Sequence, residues 1–238
     1  MNSSGIEEAW QATTHALIVY DRQLVPDAAI DWLEPDWWID RKTVRGRLQG
    51  RGEPLVIDTP AGAAVLRPYL RGGLVARVSA DRYVFTGFRR SRAMREWQVL
   101  SRLLELGMPV PRPLLAGWRR HGLTASGALM TRMITGTRSL AEVASDVDQA
   151  GWARLGTTLR GFFDAGLKHP DLNARNVLID ERECWWLVDF DRARLTNQPV
   201  KGRDMLNRLA RSLAKVGFPE ISDRLPELLA YKRSTASR

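Results

Sequence analysis

His169-Pro170-Asp171-Leu172-Asn173-Ala174-Arg175-Asn176, with Leu187-Val188-Asp189-Phe190-Asp191 a short way beyond it, is the stretch that decides the reading of this chain. The residues before it, Trp152 to Phe163, repeat apolar side chains at helical spacing. Those after it, Val177 to Ile179 and Cys184 to Val188, are short apolar runs flanking the charged turn Asp180 to Glu183, the pattern of a hairpin. The first stretch is therefore a loop between a helix and a strand, and Asp189 stands at the end of the second strand. Neighbouring segments thus offer carboxylates, Asp171 and Asp189 among them, and the amide of Asn176. The plainest alternative is a helix-capping loop with solvated carboxylates.

Outward from this loop the chain changes character. Toward the C-terminus, Leu140 to Val147, Met205 to Val216 and Leu225 to Tyr231 are helical in period. Toward the N-terminus, His15 to Tyr20, Leu55 to Ile57, Ala63 to Leu70, Leu114 to Trp118 and Ala128 to Met133 read as strands, and Tyr83 to Phe85 is an ambiguous apolar run. One helix interrupts them, Ser91 to Leu106, with Ser91 as N-cap and Gly107 and Pro109 ending it. Strands with one helix give way to a mostly helical part near Thr131 to Gly136. The expectation is an α+β fold of two lobes, residues 1–131 and 132–238, joined by a hinge.

The spacing of His169, Asp171, Leu172 and Asn176, followed by Asp189-Phe190, is similar to the protein-kinase pattern H-x-D-L-x-x-x-N and D-F-x. The residue types suit phosphoryl transfer. An acceptor hydroxyl must be held in line with the γ-phosphate of ATP, and a carboxylate beside it orients it and takes its proton; that role falls to Asp171. Mg²⁺ prefers oxygen ligands in octahedral geometry, and Asn176 and Asp189 supply two. His169 is expected to pack or to bond the loop backbone. For the nucleotide, Gly46-Arg47-Leu48-Gln49-Gly50-Arg51-Gly52 offers backbone N–H groups for phosphates through Gly46, Gly50 and Gly52, without matching G-x-G-x-x-G. An ordinary turn explains it equally well. Where the kinase pattern has a strand lysine, Ala63 to Leu70 carries Arg67, a cation that binds phosphate oxygens bidentately; Glu96 on the following helix is its expected partner. The third position after Asp189 is Asp191 rather than Gly, and no A-P-E sequence follows. Little room remains for an activation loop, which favours a small-molecule or glycan acceptor over a protein.

The chain resembles the bacterial 3-deoxy-D-manno-octulosonic acid (Kdo) kinases of the lipopolysaccharide kinase group. The residues that carry the resemblance are Leu66-Arg67-Pro68-Tyr69-Leu70-Arg71-Gly72-Gly73-Leu74, Asp81-Arg82-Tyr83, Arg92-Ala93-Met94-Arg95-Glu96-Trp97, Gly107-Met108-Pro109-Val110-Pro111-Arg112-Pro113, the His169 to Asn176 loop, Asp189-Phe190-Asp191-Arg192 and Leu206-Asn207-Arg208-Leu209. The resemblance implies a two-lobed protein-kinase-like fold. It implies ATP-dependent phosphorylation of the Kdo sugar, expected at its 4-hydroxyl, in lipopolysaccharide inner-core synthesis. It also implies peripheral work at the cytoplasmic face of the inner membrane.

Composition agrees with an anionic partner. The 238 residues carry a formal net charge of +9, which draws acidic ligands without choosing among them. Kdo-lipid A is anionic, and Arg71, Arg89 and Arg92, with Arg90 and Arg95, form a cluster able to contact it. The helix bearing Arg203, Arg208, Arg211 and Lys215 is a second candidate surface. The sequence holds no nucleic-acid reader motif, and no stable protein partner is expected. The single cysteine, Cys184, is expected in the core beside Trp185 and Trp186, in a reducing compartment. No secretory signal and no membrane span are expected. Two alternatives stay open: a kinase-fold phosphotransferase for another small alcohol or glycan, and a non-catalytic pseudokinase.

Overall fold

The computed structural model describes residues 5–48, 52–71, 91–121 and 124–230. They form a mixed fold with one large antiparallel sheet and, among the described residues, six α-helices. The chain divides into two compact units, Met1–Glu105 with Arg112–Met133, and Leu106–Pro111 with Ile134–Arg238.

In the first unit seven strands, β1 (Glu8–Ala12), β2 (Ala16–Asp21), β3 (Val44–Arg47), β4 (Leu55–Thr59), β5 (Gly62–Arg71), β6 (Pro113–His121) and β7 (Thr124–Arg132), lie in the order β1-β2-β6-β7-β5-β4-β3. Strand alternation sends successive side chains to opposite faces, and both faces are used. Ile18, Leu66, Ala128 and Met130 pack with Trp32, Leu33 and Trp38. These come from a 3-10 turn, Ile30–Leu33, and the short helix α1 (Pro35–Asp40). Trp38 stacks edge-on to Trp32 at 5.1 Å and donates from Nε1 to the Trp32 carbonyl at 3.0 Å. The helix α2 (Arg92–Glu105) lies against β6 and β7. Ser91 Oγ accepts from Met94 N at 3.2 Å, as a cap does. Trp97, fully buried, donates from Nε1 to Glu8 Oε1 at 2.8 Å. Because Leu66 joins the tryptophan cluster, its neighbours Arg67 and, two residues on, Tyr69 face the other way, toward Glu96 of α2.

The second unit holds β8 (Arg138–Ser139), α3 (Leu140–Val143), α4 (Gln149–Asp164), β9 (Leu167–Lys168), β10 (Val177–Ile179), β11 (Trp185–Leu187), β12 (Arg194–Leu195), α5 (Arg203–Lys215) and α6 (Pro219–Ala230). Asp148 caps α4 by accepting from Gly151 N at 2.6 Å. The buried row Trp152, Leu155, Leu159 and Phe162 faces inward. Strands β8, β10 and β11 form one small antiparallel sheet, β9 and β12 another.

Several expectations change. The helix expected over 140–147 stops at Val143, since Asp148 turns the chain to cap α4. The last helix begins at Pro219, whose fixed φ suits a first turn, and it accommodates Pro226 inside. Cys184 is exposed rather than core, because it closes the Asp180 turn and its N–H donates to Asp180 Oδ1 at 2.9 Å. Trp185, next along, takes the buried position. Gly46 lies in β3. Strands β1 and β3, the 3-10 turn and α1 were not foreseen. The Tyr83 to Phe85 run lies outside the described residues.

Helices α4 and α6 pack through Gly156, where an added Cβ would lie 2.1 Å from the Leu229 carbonyl oxygen. An alanine at an exposed helical glycine raises stability by up to about 1 kcal/mol. Here the overlap dominates, and Gly156→Ala is expected to lower it by about 1–3 kcal/mol. The urea midpoint measures the sign.

Candidate active site

The residues of the candidate catalytic loop are held in the second unit by a closed set of bonds. Leu172, fully buried, anchors the loop, and its N–H donates to the His169 carbonyl at 3.2 Å. Asn173 and Asn176 each donate from Nδ2 to the Asp171 carbonyl at 3.0 Å. These bonds fix the backbone of Asp171 while its side chain stays half-exposed. They also orient Asn176 so that Oδ1 is its remaining acceptor. The hairpin register pairs Val177 with Leu187, and Val188 N donates to the Asn176 carbonyl at 3.0 Å. Asn176 is thus tied to the residue just before Asp189. Asp189 itself has φ +65°, a left-handed conformation uncommon outside Gly, Asn and Asp. Such conformations cluster where function requires them.

His169 fastens the two segments together. It is buried, and its Nε2 lies 3.2 Å from the Val188 carbonyl. A carbonyl only accepts, so Nε2 carries the proton. The Phe190 ring packs 5.2 Å from the imidazole. Nδ1 is buried without a hydrogen-bond partner among the described residues. Burial holds the His169 pKa below its ordinary 6.5, opposed by the Val188 carbonyl and by Asp189 and Asp171. The ring is neutral at pH 7.

Helix α5 is stitched to the same loop at two points. The His169 N–H points at Met205 Sδ, 3.1 Å away, and Ala174 N donates to Ser212 Oγ at 2.8 Å. Between them, Arg208 places Nη2 3.2 Å from Asp171 Oδ1. Both side chains are about half-exposed, 45% and 50%, so the pair contributes no more than about 1 kcal/mol and is readily exchanged.

In the first unit Glu96 is buried at 3% exposure. Arg67 Nη1 lies 3.4 Å from its Oε1, and the Tyr69 hydroxyl donates to its Oε2. A buried carboxylate requires such partners. Burial, and next the charge of Glu96, push the Tyr69 hydroxyl pKa far up, so it remains a donor. Arg92 stacks over the Tyr69 ring at 4.7 Å. Gly52 has φ +84°, and a Cβ there would lie 2.7 Å from the Pro68 carbonyl oxygen; its lack of a side chain serves the approach to β5. Around Gly46 there is open space. Gly50, Arg89, Arg90 and the Arg71 side chain lie outside the described residues; Arg95 is exposed on α2. The structure therefore joins Asp171 with Asn176, and Arg67 with Glu96. Tyr69 was overlooked, although period-2 alternation puts it beside Arg67. Arg208 was read as part of a basic helix face and of the Leu206 to Leu209 segment that carries the resemblance, and no local signal links it to Asp171.

Residues 35–224 match the model of the Lipopolysaccharide kinase (Kdo/WaaP) family. The chain belongs to that family. It is 41% identical over 204 residues to a 3-deoxy-D-manno-octulosonic acid kinase of Xanthomonas oryzae pv. oryzae (strain PXO99A), covering 85% of this chain and 82% of that one. It is also 41% identical over 220 residues to the protein of the same name in Stenotrophomonas maltophilia (strain R551-3), covering 91% and 88%. The family match takes in Arg67, Glu96, Asp171, Asn176, Asp189 and Arg208, and it leaves out β1 and β2. This lipopolysaccharide kinase family member therefore carries its candidate site wholly within the matched span.

The neutral His169 has a pH consequence. Its folded pKa is depressed, so above the unfolded pKa near 6.5 it exacts no penalty. As pH falls from there toward the folded pKa, the unfolded chain takes up a proton that the native one refuses. Stability is expected to decline over that window. In His169→Gln the urea midpoint should change less steeply between pH 6.5 and 5 than in the wild type.

Proposed function

We propose that this protein transfers the γ-phosphoryl group of ATP to a hydroxyl of the Kdo sugar of Kdo-lipid A, at the 4-hydroxyl, in lipopolysaccharide inner-core synthesis. The observation that carries this reading is the bonded set Asp171, Asn176 and Val188-Asp189, in a chain about 41% identical to proteins named 3-deoxy-D-manno-octulosonic acid kinase. The fold is read as protein-kinase-like, with 1–131 as the nucleotide-binding lobe and 132–238 as the lobe bearing the catalytic loop and the acceptor.

Asp171 accepts the proton of the acceptor hydroxyl as its oxygen bonds to phosphorus and the bridging oxygen leaves with ADP. Asn176 and Asp189 would hold Mg²⁺, and their chemistry fits it. Both present oxygen, Asn176 is oriented with Oδ1 unspent, and no group of three His, Cys, Asp or Glu converges among the described residues. That suits an ion that keeps waters and takes substrate phosphate oxygens. When bound, Mg²⁺ neutralises charge on the phosphates. Arg67, positioned by Glu96 and Tyr69, binds the α- and β-phosphates. It keeps its charge at any working pH and offers a planar fork, which answers the absence of a strand lysine.

No helix among the described residues is long and apolar enough to cross a membrane. The protein is read as a peripheral enzyme at the cytoplasmic face of the inner membrane, drawn there by its net charge of +9.

The test is transfer from γ-labelled ATP with Mg²⁺ to Kdo-lipid A. Asp171→Asn is expected to lower turnover by about 10²- to 10⁴-fold while nucleotide binding persists. Asp189→Asn is expected to raise the Mg²⁺ concentration needed for half-maximal rate. A wild type that leaves Kdo-lipid A unlabelled would refute the acceptor, and a fully active Asp171→Asn would refute the base.

A further inference from the structure

We propose that Arg208 binds the carboxylate of the acceptor sugar, releasing Asp171 as it does so, and thereby selects an acidic sugar. The inference rests on the Kdo reading above and deepens it.

The geometry carries it. Arg208 is held within 3.2 Å of the catalytic carboxylate by one nitrogen. Its other N–H groups have no partner among the described residues. A guanidinium offers five donors in a fork matched to a carboxylate, and most of this fork is unspent. Its placement is not accidental. On α5, Met205 lies one turn before it and Ser212 one turn after, and each meets the catalytic-loop backbone. Leu209 and Leu213, fully buried, set the angle of the helix. The cation is thus built into the loop's support, while its head remains about half-exposed and reachable by a ligand.

The pair is also self-limiting. Asp171 must hydrogen-bond the acceptor hydroxyl to take its proton, and the ion pair with Arg208 occupies one of its oxygens. A neutral alcohol offers Arg208 nothing in exchange. A sugar acid does. In a 3-deoxy-2-ulosonic acid the carboxylate is borne on C2, and the 4-hydroxyl stands two ring carbons away. One molecule can therefore reach the guanidinium with its carboxylate and Asp171 with its hydroxyl. The exchange replaces an exposed ion pair by a charge-assisted bidentate one.

The experiment compares kcat/KM for Kdo-lipid A with that for the same acceptor methyl-esterified at the Kdo carboxylate. Wild type, Arg208→Gln and Arg208→Lys are used, and their thermal unfolding confirms the fold. Wild type is expected to prefer the free acid by about 10- to 100-fold. In Arg208→Gln the preference should collapse to within about threefold of unity, whatever the absolute rates, with the change in acceptor rather than nucleotide KM. Arg208→Lys should keep part of it, having charge without the fork. The proposal is overturned if Arg208→Gln retains the wild-type preference. That includes the case in which the rates on both acceptors fall by the same factor and the preference stands, which would place Arg208 on the transferred phosphoryl group. A wild type that uses both acceptors equally well leaves the Kdo reading standing and removes this one. A wild type that labels neither removes both.

Discussion

A single neutral imidazole sets the relation between the two halves of the candidate chemistry. His169 Nε2 donates to the Val188 carbonyl, and its ring rests on Phe190. The loop that carries Asp171 and the strand end that carries Asp189 are therefore fixed to each other beside the candidate catalytic pair. The ring can do this because it is buried and uncharged. A protonated His169 would place a second N–H at Nδ1, where no described acceptor stands, and the cost of desolvating the charge would add to it. The left-handed backbone at Asp189 is maintained by the same neighbours, since a strained residue persists only where its surroundings overdetermine it.

The first unit solves a different electrostatic problem. Glu96 is buried almost completely, and a carboxylate there is tolerated only with donors around it. Arg67 and Tyr69, two residues apart on β5, present those donors from one face of the strand. The same alternation sends Leu66, just before them, into the tryptophan cluster. One strand thus supplies core packing and a positioned cation at once. Arginine suits this place because its planar fork meets a carboxylate at one edge and keeps its charge.

Much of this was legible beforehand where a physical rule is local. Helical spacing marked α2, α4 and α5, and alternation with turn residues marked β2, β4, β5, β6 and β7. The spacing from His169 to Asn176 marked the loop. Local rules failed where tertiary packing decides. Cys184 lies in an apolar run, yet the Asp180 turn captures its backbone and leaves it outside. Strand β1 has exposed residues at four of its five positions, so it carries no apolar signal, and it is anchored through Trp97 on a distant helix. The link from Arg208 to Asp171 depends on α5 being tied to the loop.

The short segment Leu106–Pro111 belongs to the second unit, although the chain on both sides of it belongs to the first. The Pro109 carbonyl accepts from Leu187 N at 3.1 Å, on the strand that leads to Asp189. The units are consequently interleaved, and neither can be excised as one continuous piece. A fragment starting at Ile134 would strip the buried Leu187 of its acceptor, at about 1–3 kcal/mol for an unsatisfied group. A unit can be exchanged between relatives only with both of its segments together.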